Sequence, residues 1–197
     1  MKQYRVGIIG ATGMVGQRFA TLLEKHPWFT VTALAASSRS AGKTYEEALA
    51  GRWKMSTPIP EKMKDMTVLD AEKDREKIAG SVDFVFCAVN LEKQKTKALE
   101  EAYARCECPV ISNNSANRGV PDVPMIIPEI NPEHAAVIET QRKRLGTKRG
   151  FIAVKSNCSI QSYVPAVTPL LDLNVTKVLA CTYQALSGAG KTFKATP

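Results

Sequence analysis

With 197 residues, the chain can hold one sizeable domain, or one domain and the start of a second. Its 44% apolar and 23% charged residues are the mix of an ordinary soluble globular protein, and no apolar run approaches the ~18 residues of a membrane span. The net charge of +8 would suit nucleic acid, but much of the surplus lies in residues 141–149, without interleaved aromatics or a nucleic-acid-binding signature; a solvated helix end and loop is expected there.

Strand and helix signals then alternate along the chain. Tyr4-Arg-Val-Gly-Ile-Ile9 is a short β run that ends in a glycine-rich turn. Residues 14–25 carry Val15, Phe19, Leu22 and Leu23 at helical spacing. Residues 30–35 predict a second strand. Residues 43–77 are charged and less periodic, with Trp53, Pro58 and Pro60, and are expected to form an insertion or lid-like excursion. Residues 82–89 are almost continuously apolar, as in a strand buried on both faces. A helix over about 91–105 and a strand over 109–112 follow. Beyond the basic stretch, residues 151–154 and 177–183 predict strands of a second unit.

This alternation predicts an α/β fold: a Rossmann-like dinucleotide-binding domain over residues 1–150, with a parallel sheet and helices on both faces, then a second domain beginning at 151–197. Ligands are expected beyond the carboxyl ends of the strands. There are no internal repeats. The sequence stops soon after a motif, and is expected to be the leading part of a longer chain.

The turn Gly10-Ala-Thr-Gly13-Met-Val-Gly16 sits where a strand becomes a helix. Glycines there permit a sharp turn, close approach of backbone to a pyrophosphate, and tight helix–sheet packing. Gly10, Thr12, Gly13, Met14, Val15 and Gly16 are the expected cradle, with the helix N-terminus facing the phosphates. The spacing is GxxGxxG, so a tight turn without a ligand is the alternative; the strand–helix context favours a cofactor. The second strand ends in Ala35-Ala-Ser-Ser-Arg-Ser40, where a carboxylate for a ribose 2′-hydroxyl would normally stand. Ser37, Ser38, Arg39 and Ser40 instead suit a 2′-phosphate, which points to NADP.

Ser156-Asn157-Cys158-Ser159 follows an apolar run and places a cysteine at a strand-to-helix junction, where the helix dipole favours a thiolate. Pro165 and Pro169 predict a short or bent helix after it. The other cysteines are Cys87, Cys106, Cys108 and Cys181. Their spacing matches neither a zinc site nor a disulfide framework, so reduced thiols and no metal are expected, with Cys87 and Cys181 as small core hydrophobes. The N-terminus lacks a secretory pattern, which makes the cytoplasm the expected compartment. Residues 185–192 approach a Walker A pattern, with Ala185 at its first glycine. Too little sequence follows Thr192 for the helix a P-loop needs, so that reading is not favoured.

The segments Gly10-Ala-Thr-Gly-Met-Val-Gly-Gln-Arg-Phe19, Ala36-Ser-Ser-Arg-Ser-Ala-Gly-Lys43, Asn113-Asn-Ser-Ala-Asn-Arg118, Pro128-Glu-Ile-Asn131, Ser156-Asn-Cys-Ser159 and Thr182-Tyr-Gln-Ala-Leu-Ser-Gly-Ala-Gly190 occur in one order along the chain. As a set, this resembles aspartate-semialdehyde dehydrogenase, particularly its archaeal and fungal-like branch. The resemblance implies reductive dephosphorylation of L-aspartyl 4-phosphate, a branch-point step toward lysine, methionine and threonine. It implies Cys158 as the nucleophile that forms a thioester, and Gln184 as the residue that orients the substrate. Arg118 and Asn157 are implied to hold the phosphate, with Asn114 a weaker member of that group. Ser187 and Gly188 match positions near the nicotinamide.

Members of this family continue well beyond residue 197, into an α+β catalytic and dimerisation domain with a histidine general base and a carboxylate-binding arginine. Neither His26 nor His134 lies in the matching motif. The 197 residues alone are therefore expected to turn over poorly, and the full-length protein to be a homo-oligomer, a dimer or tetramer. Its expected partners are aspartyl phosphate and inorganic phosphate, with neither nucleic acid nor membrane. The alternatives are an acyl-CoA reductase of the malonyl-CoA type and a non-catalytic NADP-binding module.

Overall fold

The computed structural model describes residues 2–183, and its first strands form where the sequence is β-branched or continuously apolar. The strands are β1 Tyr4–Ile9, β2 Phe29–Ala36, β3 Val68–Asp70, β4 Phe84–Cys87, β5 Val110–Ser112, β6 Met125–Ile126 and β7 Ile152–Lys155. They make one parallel seven-stranded sheet in the order β3-β2-β1-β4-β5-β7-β6. The order reverses between β1 and β4, which opens the crevice of a doubly wound fold beyond their carboxyl ends. The helices are α1 Met14–Leu23, α2 Tyr45–Leu49, α3 Glu61–Lys64, α4 Arg75–Ser81, α5 Lys93–Arg105, α6 Ile138–Leu145 and α7 Cys158–Val167.

Because side chains alternate along a strand, each strand feeds both faces of the sheet. On one face Val85, Val110 and Ile152 pack against Ile78 of α4, Leu99 and Tyr103 of α5 and Leu145 of α6. On the other, Val6, Ile8 and Leu34 pack against Ala20 and Leu23 of α1 and against Tyr45, Leu49 and Met63 of the two short helices. None of the described helices is long and apolar enough to cross a membrane.

Residues 43–77 are not an excursion. They fold under the glycine turn and end in β3, which pairs with β2 as the outer strand of the sheet. Tyr45 is fully buried and its hydroxyl donates to the Ala11 carbonyl at 2.8 Å. Gln17 of α1 ties the two regions from the other side: its Nε2 donates to the carbonyls of Thr12 and Arg52, and its Oε1 accepts from the Lys54 N–H.

The strand expected at 151–154 forms, but inside the first sheet, between β5 and β6, rather than in a second unit. No strand forms at 177–183 in the described residues, and Cys181 is exposed rather than in the core. An apolar run becomes a strand only where an edge is available to take its backbone hydrogen bonds. Cys87 is buried as expected.

The basic stretch is a helix end and loop, with α6 stopping at Gly146 in the left-handed conformation. Two of its cations form ion pairs: Arg142 holds Glu139 at 2.7 Å, and Arg144 holds Asp122 at 2.5 and 3.0 Å and Glu101 at 3.0 Å. Gln141, however, is 0% exposed and is part of the core. Its Nε2 donates to the carbonyls of Asp122 and Ile152 at 2.8 and 2.9 Å, and its Oε1 accepts the Ile152 N–H at 2.6 Å. β6 reaches β7 only at Val154 and Lys155, so at Ile152 the Gln141 amide supplies the bonds that a strand would make.

Two half-buried carboxylates brace this architecture. Asp83 accepts the Arg5 N–H at 2.7 Å, and Glu107 accepts the N–H groups of Lys148, Arg149 and Gly150. The Arg5 N–H holds Asp83 below the usual carboxylate range, and the Lys148 N–H leads the set that does the same for Glu107. Depressed folded-state values stabilise above the unfolded values of about 4, and that contribution disappears as pH falls through the folded ones. Urea midpoints should therefore drop between pH 6 and pH 3, and Glu107→Gln should flatten part of that slope. An unchanged slope would remove Glu107 from the account.

Candidate active site

All seven strands are parallel, so the loops after β1, β2, β4, β5 and β7 gather at one edge of the sheet. Gly10 ends β1 at φ +91°, and a Cβ there would lie 2.6 Å from the Ala88 carbonyl oxygen. Gly10 and Ala11 both donate to the Ala35 carbonyl, which pins the turn to the end of β2. At Gly16 a Cβ would overlap the Gly10 carbonyl and the Ala11 backbone, so helix and turn meet without a side chain between them. Both neighbours are backbone and cannot step aside. Gly16→Ala should cost about 1–3 kcal/mol, read as a shift in urea midpoint; an unshifted midpoint would mean the turn is slack.

α1 begins after Gly13 with no side-chain cap and no acidic residue in its first turn. Its leading N–H groups are left for an anion. The turn just before them borders a cavity of about 510 Å³. Gly10, Thr12 and Gly13 line it on one side and Ser37, Ser38 and Arg39 on another, as the sequence predicted. Four predicted members among the described residues do not line it. Met14 and Val15 are exposed on the first turn of α1, and Ser40 is buried behind its own turn, its N–H donating to Ser37. Gly16 acts from behind, through packing.

Two cations and two carboxylates in this lining were not expected from the sequence: Arg52, Lys73, Asp70 and Glu72. Asp70 ends β3, not β2, and its Oδ1 accepts the N–H groups of Glu72 and Lys73 at 2.9 Å. The carboxylate is thereby committed to its own turn, and the Lys73 N–H holds it below the usual carboxylate range. Arg52 donates to the Leu49 and Ala48 carbonyls at the end of α2. A larger concavity of about 780 Å³ lies on the α1 face of the sheet, but its walls of Phe29, Phe84, Phe86, Ile111 and Phe151 offer no nucleophile.

At the end of β7, Asn157 caps α7 by accepting the Ser159 N–H at 2.9 Å, and Cys158 is the first helical residue, exposed to solvent. α7 continues through Pro165 to Val167, longer than the prolines predicted. Arg118 reaches the same place, its Nε donating to the Lys155 carbonyl at 3.1 Å. Burial, then the Arg118 charge, lower the Lys155 ammonium below its usual range, and Cys158 pulls it the other way. Cys158, Arg118, Asn157 and Lys155 thus form one cluster. Lys155 escaped the sequence reading, although a cation closing an apolar strand just before the cysteine was a usable signal.

Asn114 does not join that cluster with its donors. Its Nδ2 is engaged inward, with Glu100 Oε1 at 3.0 Å and Cys87 Sγ at 3.5 Å. Burial first, then the Glu100 charge, push the Cys87 thiol up, which keeps it a neutral core group. Gln184, Ser187 and Gly188 lie outside the described residues. His26 is structural, its Nδ1 accepting from the N–H groups of Trp28 and Phe29. Among the described residues no three His, Cys, Asp or Glu side chains gather as a metal site would require.

The family described as semialdehyde dehydrogenase, NAD binding domain, matches residues 5–138, the stretch that holds the glycine cradle and Arg118. The chain belongs to this semialdehyde dehydrogenase family. Its relatives include the aspartate-semialdehyde dehydrogenase of Methanothermobacter thermautotrophicus, 44% identical over 94% of this chain and 51% of that protein. That of Archaeoglobus fulgidus is 42% identical over 95% of this chain and 52% of that protein. Among solved structures, aspartate semialdehyde dehydrogenase with NADP from Candida albicans superposes with a TM-score of 0.75 at 38% identity, covering 87% of this chain and 48% of that one. The chain spans about half the length of the curated relatives it matches.

Proposed function

We propose that this chain is the cofactor-binding and nucleophile-bearing part of an NADP-dependent aspartate-semialdehyde dehydrogenase, which reductively dephosphorylates L-aspartyl 4-phosphate to L-aspartate 4-semialdehyde. The observation that carries this reading is Cys158, exposed at the start of α7 on the cofactor edge of the sheet, with Arg118 and Lys155 beside it. The likeness to relatives of that name supports it.

The residues present fit the cofactor. Glycines clear the path to the uncapped N-terminus of α1, and the end of β2 offers Ser37, Ser38 and Arg39 without a carboxylate. That set favours a 2′-phosphate, hence NADP over NAD. The Candida albicans relative solved with NADP supports the same choice.

In the proposed reaction Cys158 Sγ attacks the acyl carbon of aspartyl phosphate. The carbon–oxygen bond to phosphate breaks, a thioester forms on Cys158, and inorganic phosphate leaves. The bound nicotinamide supplies the hydride equivalent that takes this acyl group to the aldehyde level. Arg118 meets the departing phosphate with a planar fork of N–H donors. Asn157 spends its Oδ1 on the helix cap and offers its amide N–H groups to the same anion. Gln184 is proposed to orient the substrate at the nucleophile, and Ser187 and Gly188 to flank the nicotinamide. Asn114, its Nδ2 engaged inward, is proposed as a support of the loop rather than a phosphate donor. For the full-length gene product we propose a cytoplasmic homo-oligomer, a dimer or tetramer, in amino-acid biosynthesis.

The test is NADPH formation by the full-length gene product from aspartate semialdehyde. The rate should depend on inorganic phosphate. Reduction of a CoA thioester in place of the acyl phosphate would replace this reading with an acyl-CoA reductase. Cofactor binding without turnover of either substrate would leave only a binding module.

A further inference from the structure

Glu100 lies in the middle of α5, is 1% exposed, and belongs to neither the cofactor lining nor the Cys158 cluster. A buried carboxylate is costly unless donors surround it. Three do, from the last residue of β5 and from the loop that follows it. Glu100 Oε1 accepts the Ser112 hydroxyl at 2.5 Å and the Asn114 amide at 3.0 Å, and Oε2 accepts the Asn117 amide at 2.7 Å. Ser112 in turn receives the Asn114 N–H at 3.0 Å on its Oγ. All three of these groups are donors, the pattern an acceptor-only side chain satisfies and an amide does not.

The next residue along the loop is Arg118. Its reach to the Lys155 carbonyl crosses from the end of β5 to the end of β7, and the backbone of residues 113–118 is held by the Asn113 N–H on the Cys87 carbonyl and by turn bonds from Arg118 to Ser115 and from Val120 to Asn117. Asn117 is buried, and its bond to Glu100 is the one side-chain hydrogen bond it makes among the described residues. Its Oδ1 has no partner there. The carboxylate is therefore the anchor from which the loop projects its guanidinium.

We propose that Glu100 is a positioning residue for the anion site: through Ser112, Asn114 and Asn117 it holds the loop so that Arg118 stands at Cys158 to receive phosphate. This rests on the functional reading of Arg118 given above. A purely structural Glu100 would lower stability equally with and without phosphate, whereas a positioning Glu100 also changes the phosphate dependence.

The experiment is thermal denaturation of the full-length gene product against inorganic phosphate and, separately, against NADP. In the unaltered protein both should raise Tm. In Glu100→Gln, which keeps volume but turns an N–H toward converging donors, about tenfold more phosphate should be needed for the same rise. The NADP response should stay unchanged. In the turnover assay KM for phosphate should rise more than kcat falls. Should Glu100→Gln fail to fold, Asn117→Ala and Ser112→Ala each remove one bond of the set and should shift the phosphate response in the same direction by a smaller factor. Equal phosphate responses in the unaltered protein and a folded variant overturn the proposal. So does a lack of any phosphate response in the unaltered protein. A phosphate response that depends on Glu100 without semialdehyde turnover would sink the enzymatic reading and leave the positioning role standing.

Discussion

Alanine at Cys158 in the full-length gene product should abolish phosphate-dependent NADPH formation, with a loss on the order of 10⁴-fold or more, as when a covalent nucleophile is removed. The fold should not notice. The cap of α7 is made by Asn157, and Cys158 is exposed at the first helical position, where alanine is the best helix former. An unchanged NADP-induced Tm shift would separate lost chemistry from lost structure. Activity within tenfold of the unaltered protein would remove Cys158 from the mechanism, and with it the observation on which the functional reading stands.

The largest effect on stability is expected at Gln141. Leucine there keeps the volume but strands three buried backbone groups, the Ile152 N–H and C=O and the Asp122 C=O. An unsatisfied buried group costs about 1–3 kcal/mol, so a loss of roughly 3–6 kcal/mol is expected. That is a large share of the ~5–15 kcal/mol stability of a typical domain. Gln141→Glu keeps the acceptor for the Ile152 N–H but turns a buried carboxylate oxygen toward two carbonyls, so it should cost at least as much. Urea denaturation measures both; a Gln141→Leu loss below about 1 kcal/mol would mean that the sheet re-pairs around the site.

Local pattern carried the reading where neighbours in sequence are neighbours in space. β1, α1, β2, α5 and β5 were legible because apolar spacing and the glycine turn declare them. β3 was hidden because three residues, Val68, Leu69 and Asp70, become a strand only when the edge of β2 receives them. Gln141 sits in a run of cations and resembles a surface residue until its carbonyl partners, 11 and 19 residues away, are in place. Glu100 is one of several charges in α5, distinguished only by the loop that folds onto it. Tyr45 and Gln17 likewise became supports of the cofactor turn through contacts that span more than thirty residues. The candidate site followed the same division. Cys158, Arg118, Asn157 and the glycines were legible from motif; Lys155, Arg52 and Lys73 needed the sheet to bring strand ends together. The strand at 151–154 was legible, but its place between β5 and β6 was not, since pairing order is a property of topology.

That inserted strand has a consequence for how the protein is made. β6 leaves the ribosome before β7, yet β7 is its one neighbour in the sheet among the described residues. During synthesis Met125 and Ile126 must wait until residues 152–155 emerge and dock on β5, and until Gln141 has closed over Ile152. The far edge of the sheet is thus completed out of chain order, leaving the nascent chain an unpaired segment for that interval.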